Sequence, residues 1–186
     1  MHWVLALLFA AFWDAKPPEK WTEMELGQIM KDSPWARDVG TDLFLASALP
    51  MVEAEKQYLI RHGHKPGAAE KPGLSEDDWQ EYLKNDRGKH VVLAVRVPYQ
   101  QWLSDANESK RMEEGCTIRV GKTKAKMVGH FPPTAGDPYL RMLFPRIVDP
   151  KAKSFKFVLY LPGVSKPFRE VEFYLNEMTY NGKLEY

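Results

Sequence analysis

From Cys116 onward the chain alternates apolar and polar side chains with a period of two. Phe155, Phe157 and Leu159 interleave with Lys156, Val158 and Tyr160, and the same rhythm runs through "CTIRVGKTKAKMVGHF", "YLRMLFPRI" and "REVEFYLNEMTYNGKLEY". Successive side chains of a strand point to opposite faces, so this rhythm makes one face dry and one wet, the behaviour of antiparallel sheet. "HVVLAVRVP", starting at His90, is different: nearly continuous and β-branched, it predicts a central strand buried on both faces. Asn181–Gly182 is a tight-turn pair and predicts a hairpin between Glu177–Tyr180 and Lys183–Tyr186.

The first half of the chain reads as helix. Thr22 and Glu25 form a capping box, and Leu26, Ile29 and Met30 recur on one helical face. Pro34 biases Ser33 away from helical angles, so this helix should stop near Asp32, with Ser33 capping a short second turn and Trp35 pointing inward. Asp42–Pro50 reads as a strand, followed by a helix over Met51–Arg61 with Val52, Lys56 and Leu59 along its stripe and Tyr58 beside it. "HGHKPGAAEKPG" is loop by composition. Ser75 and the acids after it start a helix whose apolar face is Trp79, Tyr82 and Leu83, and a short amphipathic helix carries Trp102 over Pro98–Ser104. Helices first and strands later define an α+β fold, an antiparallel β-sheet with N-terminal helices packed on one face. No strand–turn–helix unit carries a glycine-rich phosphate turn, which argues against a doubly wound nucleotide-binding sheet.

At the N-terminus, the apolar run from Trp3 to Trp13 is too short to cross a bilayer, which takes about 20 residues. It matches the hydrophobic core of a secretory signal peptide and is followed at once by "KPPEK". No Lys or Arg precedes it, and Trp13 is bulky for a cleavage site ending at Ala15. The expected organisation is a signal peptide over 1–15, a linker over 16–20 and a single α+β domain over 21–186, exported to the periplasm or beyond, with no membrane span in the mature chain.

Composition narrows the chemistry. Lys plus Arg number 26 against 25 Asp plus Glu, a net charge of +1, so the whole surface offers no field for steering nucleic acid. The one cysteine, Cys116, excludes an internal disulfide and a multi-cysteine zinc site, and reads as a buried small side chain. A P-loop, G-x-S-x-G, H-E-x-x-H and dinucleotide fingerprint are all lacking.

Two features remain as candidate sites. His62 and His64 sit one residue apart, and on extended backbone both rings fall on one side, where they can chelate a divalent metal. Further ligands would have to come from His90, His130 or a carboxylate; the alternative is solvated histidines at a helix end. Lys122, Lys124 and Lys126 line one side of a strand, able to grip a polyanion or to keep an exposed edge unpaired. Edge protection is the preferred reading, because no aromatic platform lies among the lysines. Trp21 and Trp35 suit clamps at the two ends of the first helix, each adding about 2–3 kcal/mol by burial.

The stretches "WTEMELGQIMKDSPWARDV", "SALP" at Ser47–Pro50, "LFPR" at Leu143–Arg146 and the closing "MTYNGKLEY" resemble a family of uncharacterised exported proteins found mainly in acidobacterial genomes. The resemblance spans most of the mature chain in order and spacing. It implies an exported bacterial protein and assigns no activity, ligand or catalytic residue. The resulting expectation is a non-catalytic binding or interaction module of the cell envelope, without cofactor, whose partner is an envelope protein or extracellular ligand and not nucleic acid. The alternative is an envelope hydrolase or metal-dependent enzyme using His62 and His64 with a distant ligand.

Overall fold

The computed structural model describes residues 11–65, 77–97, 105–134, 136–147, 149, 151–162 and 166–186. Most of the leader, the start signal at Ser75 and the helix expected over Pro98–Ser104 lie outside them. Five α-helices and eleven strands occur among the described residues. The helices are α1 (Phe12–Ala15), α2 (Glu23–Lys31), α3 (Leu49–His62), α4 (Asp77–Asn85) and α5 (Ala106–Gly115). The strands are β1 (Ala36–Asp38), β2 (Asp42–Leu45), β3 (His90–Arg96), β4 (Thr117–Val120), β5 (Thr123–Lys126), β6 (Gly129–Phe131), β7 (Tyr139–Pro145), β8 (Ser154–Tyr160), β9 (Phe168–Tyr174), β10 (Thr179–Tyr180) and β11 (Lys183–Leu184).

The α+β class holds, and every strand pairing is antiparallel. The strands divide between two main sheets, a five-stranded one in the order β1-β2-β3-β7-β6 and a four-stranded one in the order β5-β4-β8-β9, with β10 and β11 as a separate hairpin. That hairpin turns through Asn181 and Gly182, both at positive φ (50° and 73°), which the Asn-Gly pair accommodates at low cost.

Register explains the layering. On one face of the five-stranded sheet, Val91, Leu93 and Val95 of β3 lie opposite Phe144, Met142 and Leu140 of β7. This face meets the inward row of the four-stranded sheet, with Phe144 edge-on to Phe157 at 4.9 Å between ring centroids. The other face, carrying Phe44, Ala94 and Arg141, is covered by α2, α3 and α4. The result is three layers, helices over sheet over sheet. Because β3 and β7 are dry on both sides, they read as continuous apolar runs and lack the alternation of β8.

The capping box forms as expected: the Thr22 amide donates to Glu25 at 2.7 Å and the Glu25 amide donates to Thr22 Oγ1 at 3.3 Å. The segment after α2 turns as expected: the Ser33 hydroxyl accepts from the Trp35 amide at 3.3 Å and donates back to the Ile29 carbonyl at 2.6 Å. The Ala36 amide closes the turn onto the Ser33 carbonyl at 3.1 Å, and the chain then enters β1. The strand expected over Asp42–Pro50 ends at Leu45, because α3 already begins at Leu49 with Pro50 in its first turn.

The α3 stripe also needs correction. The buried residues are Pro50, Met51, Ala54, Glu55 and Gln57, while Lys56 is exposed. A face containing a buried acid is invisible to a hydrophobicity pattern. The helix α5 went unforeseen for a related reason, since Met112 is its one buried residue and the rest of its surface is polar. Its start signal was present: the Asp105 carboxylate accepts from the Asn107 amide at 2.8 Å.

Trp21 and Trp35 are both in the core, 1% and 0% exposed. The packing extends back past Lys16. Trp13 stands edge-on to Trp35 at 5.5 Å, Phe12 edge-on to Trp21 at 5.8 Å, and Asp14 accepts from the Asn181 amide at 2.6 Å. Residues on the leader side of the expected boundary after Ala15 thus touch the core.

Candidate functional site

The two sequence-predicted metal ligands sit at the end of α3. His62 Nε2 lies 2.9 Å from Glu23 Oε2, and Arg61 donates to the other oxygen of the same carboxylate at 3.1 Å. The His62 and His64 rings are 6.4 Å apart, with Tyr58 packed 4.2 Å from His62. His90 is elsewhere, 3.1 Å from the Tyr82 hydroxyl, and His130 lies on β6, where burial pushes its imidazole pKa below the usual value. Among the described residues no three His, Cys, Asp or Glu side chains are grouped to hold a metal ion.

Cys116 is fully buried, with the Tyr160 amide donating to its sulfur at 3.2 Å. Burial raises its thiol to about 11, so almost no thiolate exists at neutral pH. An alkylating reagent is expected to leave Cys116 unmodified in the native protein and to label it fully in denaturant, measured as a mass shift. Rapid native labelling would contradict this placement.

Sequence reasoning missed a buried ionic cluster beneath the helices. Arg141, on β7, donates to Glu55 of α3 at 2.6 Å and to Asp137, which also accepts from Lys65 at 2.6 Å. The Arg141 guanidinium lies over the Trp79 ring, 4.7 Å from its centroid. The four side chains are almost completely enclosed and balance two cations against two carboxylates. Burial opposes ionisation of Asp137, but Arg141 and Lys65 outweigh it and hold the carboxyl below the ordinary aspartate range. The legible trace was Arg141 itself, a lone charge within the apolar run "YLRMLF".

Lys124 and Lys126 are exposed on β5, an edge strand of the four-stranded sheet, as edge protection requires, while Lys122 falls in the turn before it. The row continues, however, onto interior strands. Arg119 of β4 lies directly opposite Lys124 of β5 on one side and Lys156 of β8 on the other. Beside this row is a shallow hollow of about 370 Å³ whose lining includes Arg119, Lys151, Lys153, Lys156 and Glu172. Glu172 accepts from the Ser154 hydroxyl at 2.6 Å, and Lys156 reaches Glu170 at 3.8 Å. Among the described residues Arg119, Lys124, Lys151 and Lys153 form no ion pair. Like charges directly opposite on adjacent strands destabilise a sheet, so two such pairs around one arginine weaken it unless an anion lies between them.

Fold and surface together define a three-layer α+β protein with an open, cationic outer sheet face. No family model, no curated protein and no solved structure matches the chain. Among the described residues no helix is long and apolar enough to cross a membrane.

Proposed function

We propose that this protein is an exported, non-catalytic binding module of the cell envelope, and that its outer sheet face takes an acidic polysaccharide. The observation that carries the reading is Arg119 flanked by Lys124 and Lys156. Edge protection explains the lysines of β5, and Lys156 of β8 is matched by Glu172 directly opposite on β9 and by Glu170 at 3.8 Å, but neither accounts for Arg119 of β4 set between Lys124 and Lys156. Neighbouring strands are spaced by about 4.8 Å. The row therefore repeats positive charge at short, regular steps, which suits a polymer carrying a carboxylate on successive units. Among the described residues the exposed rings of this face, Tyr174 and Phe168, stand on β9 in the row of Glu172 and Glu170 and not between the cations, which disfavours single-stranded nucleic acid. Export is supported by the resemblance to exported proteins and by the apolar segment, whose last residues Phe12 to Asp14 pack on the fold and would therefore stay with the exported chain.

The test is affinity for an alginate oligomer of defined length at two salt concentrations. Binding should weaken as salt rises, and Arg119→Glu and Lys156→Glu should each lower affinity about tenfold or more, as charge-assisted contacts worth about 1.5–3 kcal/mol are lost. Both positions face outward, so the variants should fold normally. Binding indifferent to salt and to both variants overturns the proposal, as does tighter binding of a DNA oligomer than of alginate.

A further inference from the structure

A second recess lies in the helix layer, where α2 and α3 meet one end of the five-stranded sheet. It encloses about 320 Å³, the lower end of the range for small-molecule sites. Leu26 and Met30 of α2, Tyr58 of α3 and Tyr139 of β7 supply apolar and ring surface; Asp42, Arg96 and Lys31 supply charge.

Asp42 and Arg96 are the informative pair. Leu43 lies opposite Val95 in the β2–β3 ladder, so one position further on Asp42 and Arg96 flank one another at the strand ends. Opposite charges so placed ordinarily pair across strands. Here neither forms an ion pair with any described residue, and Lys31 is likewise uncommitted. The lining of the recess therefore includes a carboxylate and two cations, none of which forms an ion pair or side-chain hydrogen bond with a described residue. Tyr139 stays protonated at any physiological pH, because burial, reinforced by Glu55 and Asp42, raises its phenol well above the usual value.

A second, independent observation concerns Gly27, in the middle of α2 and on the recess wall. Mid-helix glycine weakens a helix relative to alanine. Packing gives no reason for it here, since a Cβ added at Gly27 would meet nothing within 4 Å. What the missing side chain does provide is open space in the recess.

We infer that this recess binds a small zwitterion, a free α-amino acid with an apolar side chain: its carboxylate at Arg96 and Lys31, its ammonium at Asp42, and its side chain against Leu26, Met30 and the two tyrosines. This site is separate from the cationic sheet face and stands or falls independently of it.

The experiment is titration of the full chain with L-phenylalanine, N-acetyl-L-phenylalanine and L-phenylalaninamide, followed by calorimetry and amide chemical shifts. Phenylalanine should bind saturably, and blocking either charged end should weaken binding at least tenfold. Gly27→Leu fills the recess while improving helix propensity, so it should abolish binding with thermal stability kept or raised. Asp42→Asn should weaken phenylalanine while leaving the N-acetyl compound unchanged, and Arg119→Glu should leave phenylalanine binding intact. No saturable binding at millimolar phenylalanine, equal binding of the blocked compounds, or full binding by a folded Gly27→Leu protein would each overturn the inference.

Discussion

Replacing Arg141 with leucine is expected to destabilise the fold by about 3–5 kcal/mol, the cost of breaking a buried ion pair by removing one partner. For a chain of this size each kcal/mol shifts the melting temperature by about 2–4 °C, so the loss should be roughly 6–20 °C. The cause is electrostatic rather than steric. Glu55 and Asp137 would keep their buried carboxylates after losing the guanidinium they share, while Lys65 stays paired with Asp137. Two controls separate the causes. The double substitution Arg141→Leu with Glu55→Gln again balances one cation against one carboxylate and should recover part of the loss. pH supplies the other. Asp137 has its carboxyl pKa lowered in the fold, so its stabilising contribution is present above the unfolded value of about 3.9 and is lost as pH falls through the folded value. In the leucine variant the same protonation relieves an uncompensated charge. The gap between wild type and variant should be widest near neutrality and should narrow below about pH 4, measured by urea unfolding across pH. A constant gap would mean that lost packing, not charge, sets the penalty.

Trp35→Ala should have an effect of similar size, about 3–5 kcal/mol, in the range for truncating a buried large aromatic. Trp35 is fully enclosed, its indole N–H donates to the Glu185 carbonyl at 2.7 Å, and Trp13 leans on its ring. Its loss reaches the C-terminal segment, where the Glu185 carboxylate meets both the Leu49 amide at the start of α3 and Arg87. Unfolding by urea and the rate of tryptic cutting after Lys20 should both report it. A variant within about 1 kcal/mol of wild type would show that the ring is no part of the fold's support, and an indole free to meet a ligand would then have to be considered.

These two residues mark what the sequence made legible. Trp35, the capping box of α2, the Asn181–Gly182 turn and the buried strand at His90 all depend on neighbours within a few positions, and local pattern was enough to place them. The rest depends on pairing across the chain. Arg141 meets Glu55, 86 residues away, and no periodicity announces that partnership. The same holds for the α3 face, which follows Glu55 inward. On the surface, three lysines were visible as a row on one strand. Their continuation through Arg119 and Lys156 required the register of three strands. Asp42 and Arg96 likewise looked like ordinary strand ends until the β2–β3 ladder set them side by side. The "HGH" pair stood out in the sequence because its members are adjacent, yet the fold commits His62 to Glu23.

The most direct test of the binding-module reading is an amide chemical-shift map of the protein during titration with the alginate oligomer. The shifts should concentrate on β4, β5 and β8 around Arg119, Lys124 and Lys156 and should fade as salt is added. Shifts centred instead on His62 and His64, or spread without a focus across the surface, would contradict it.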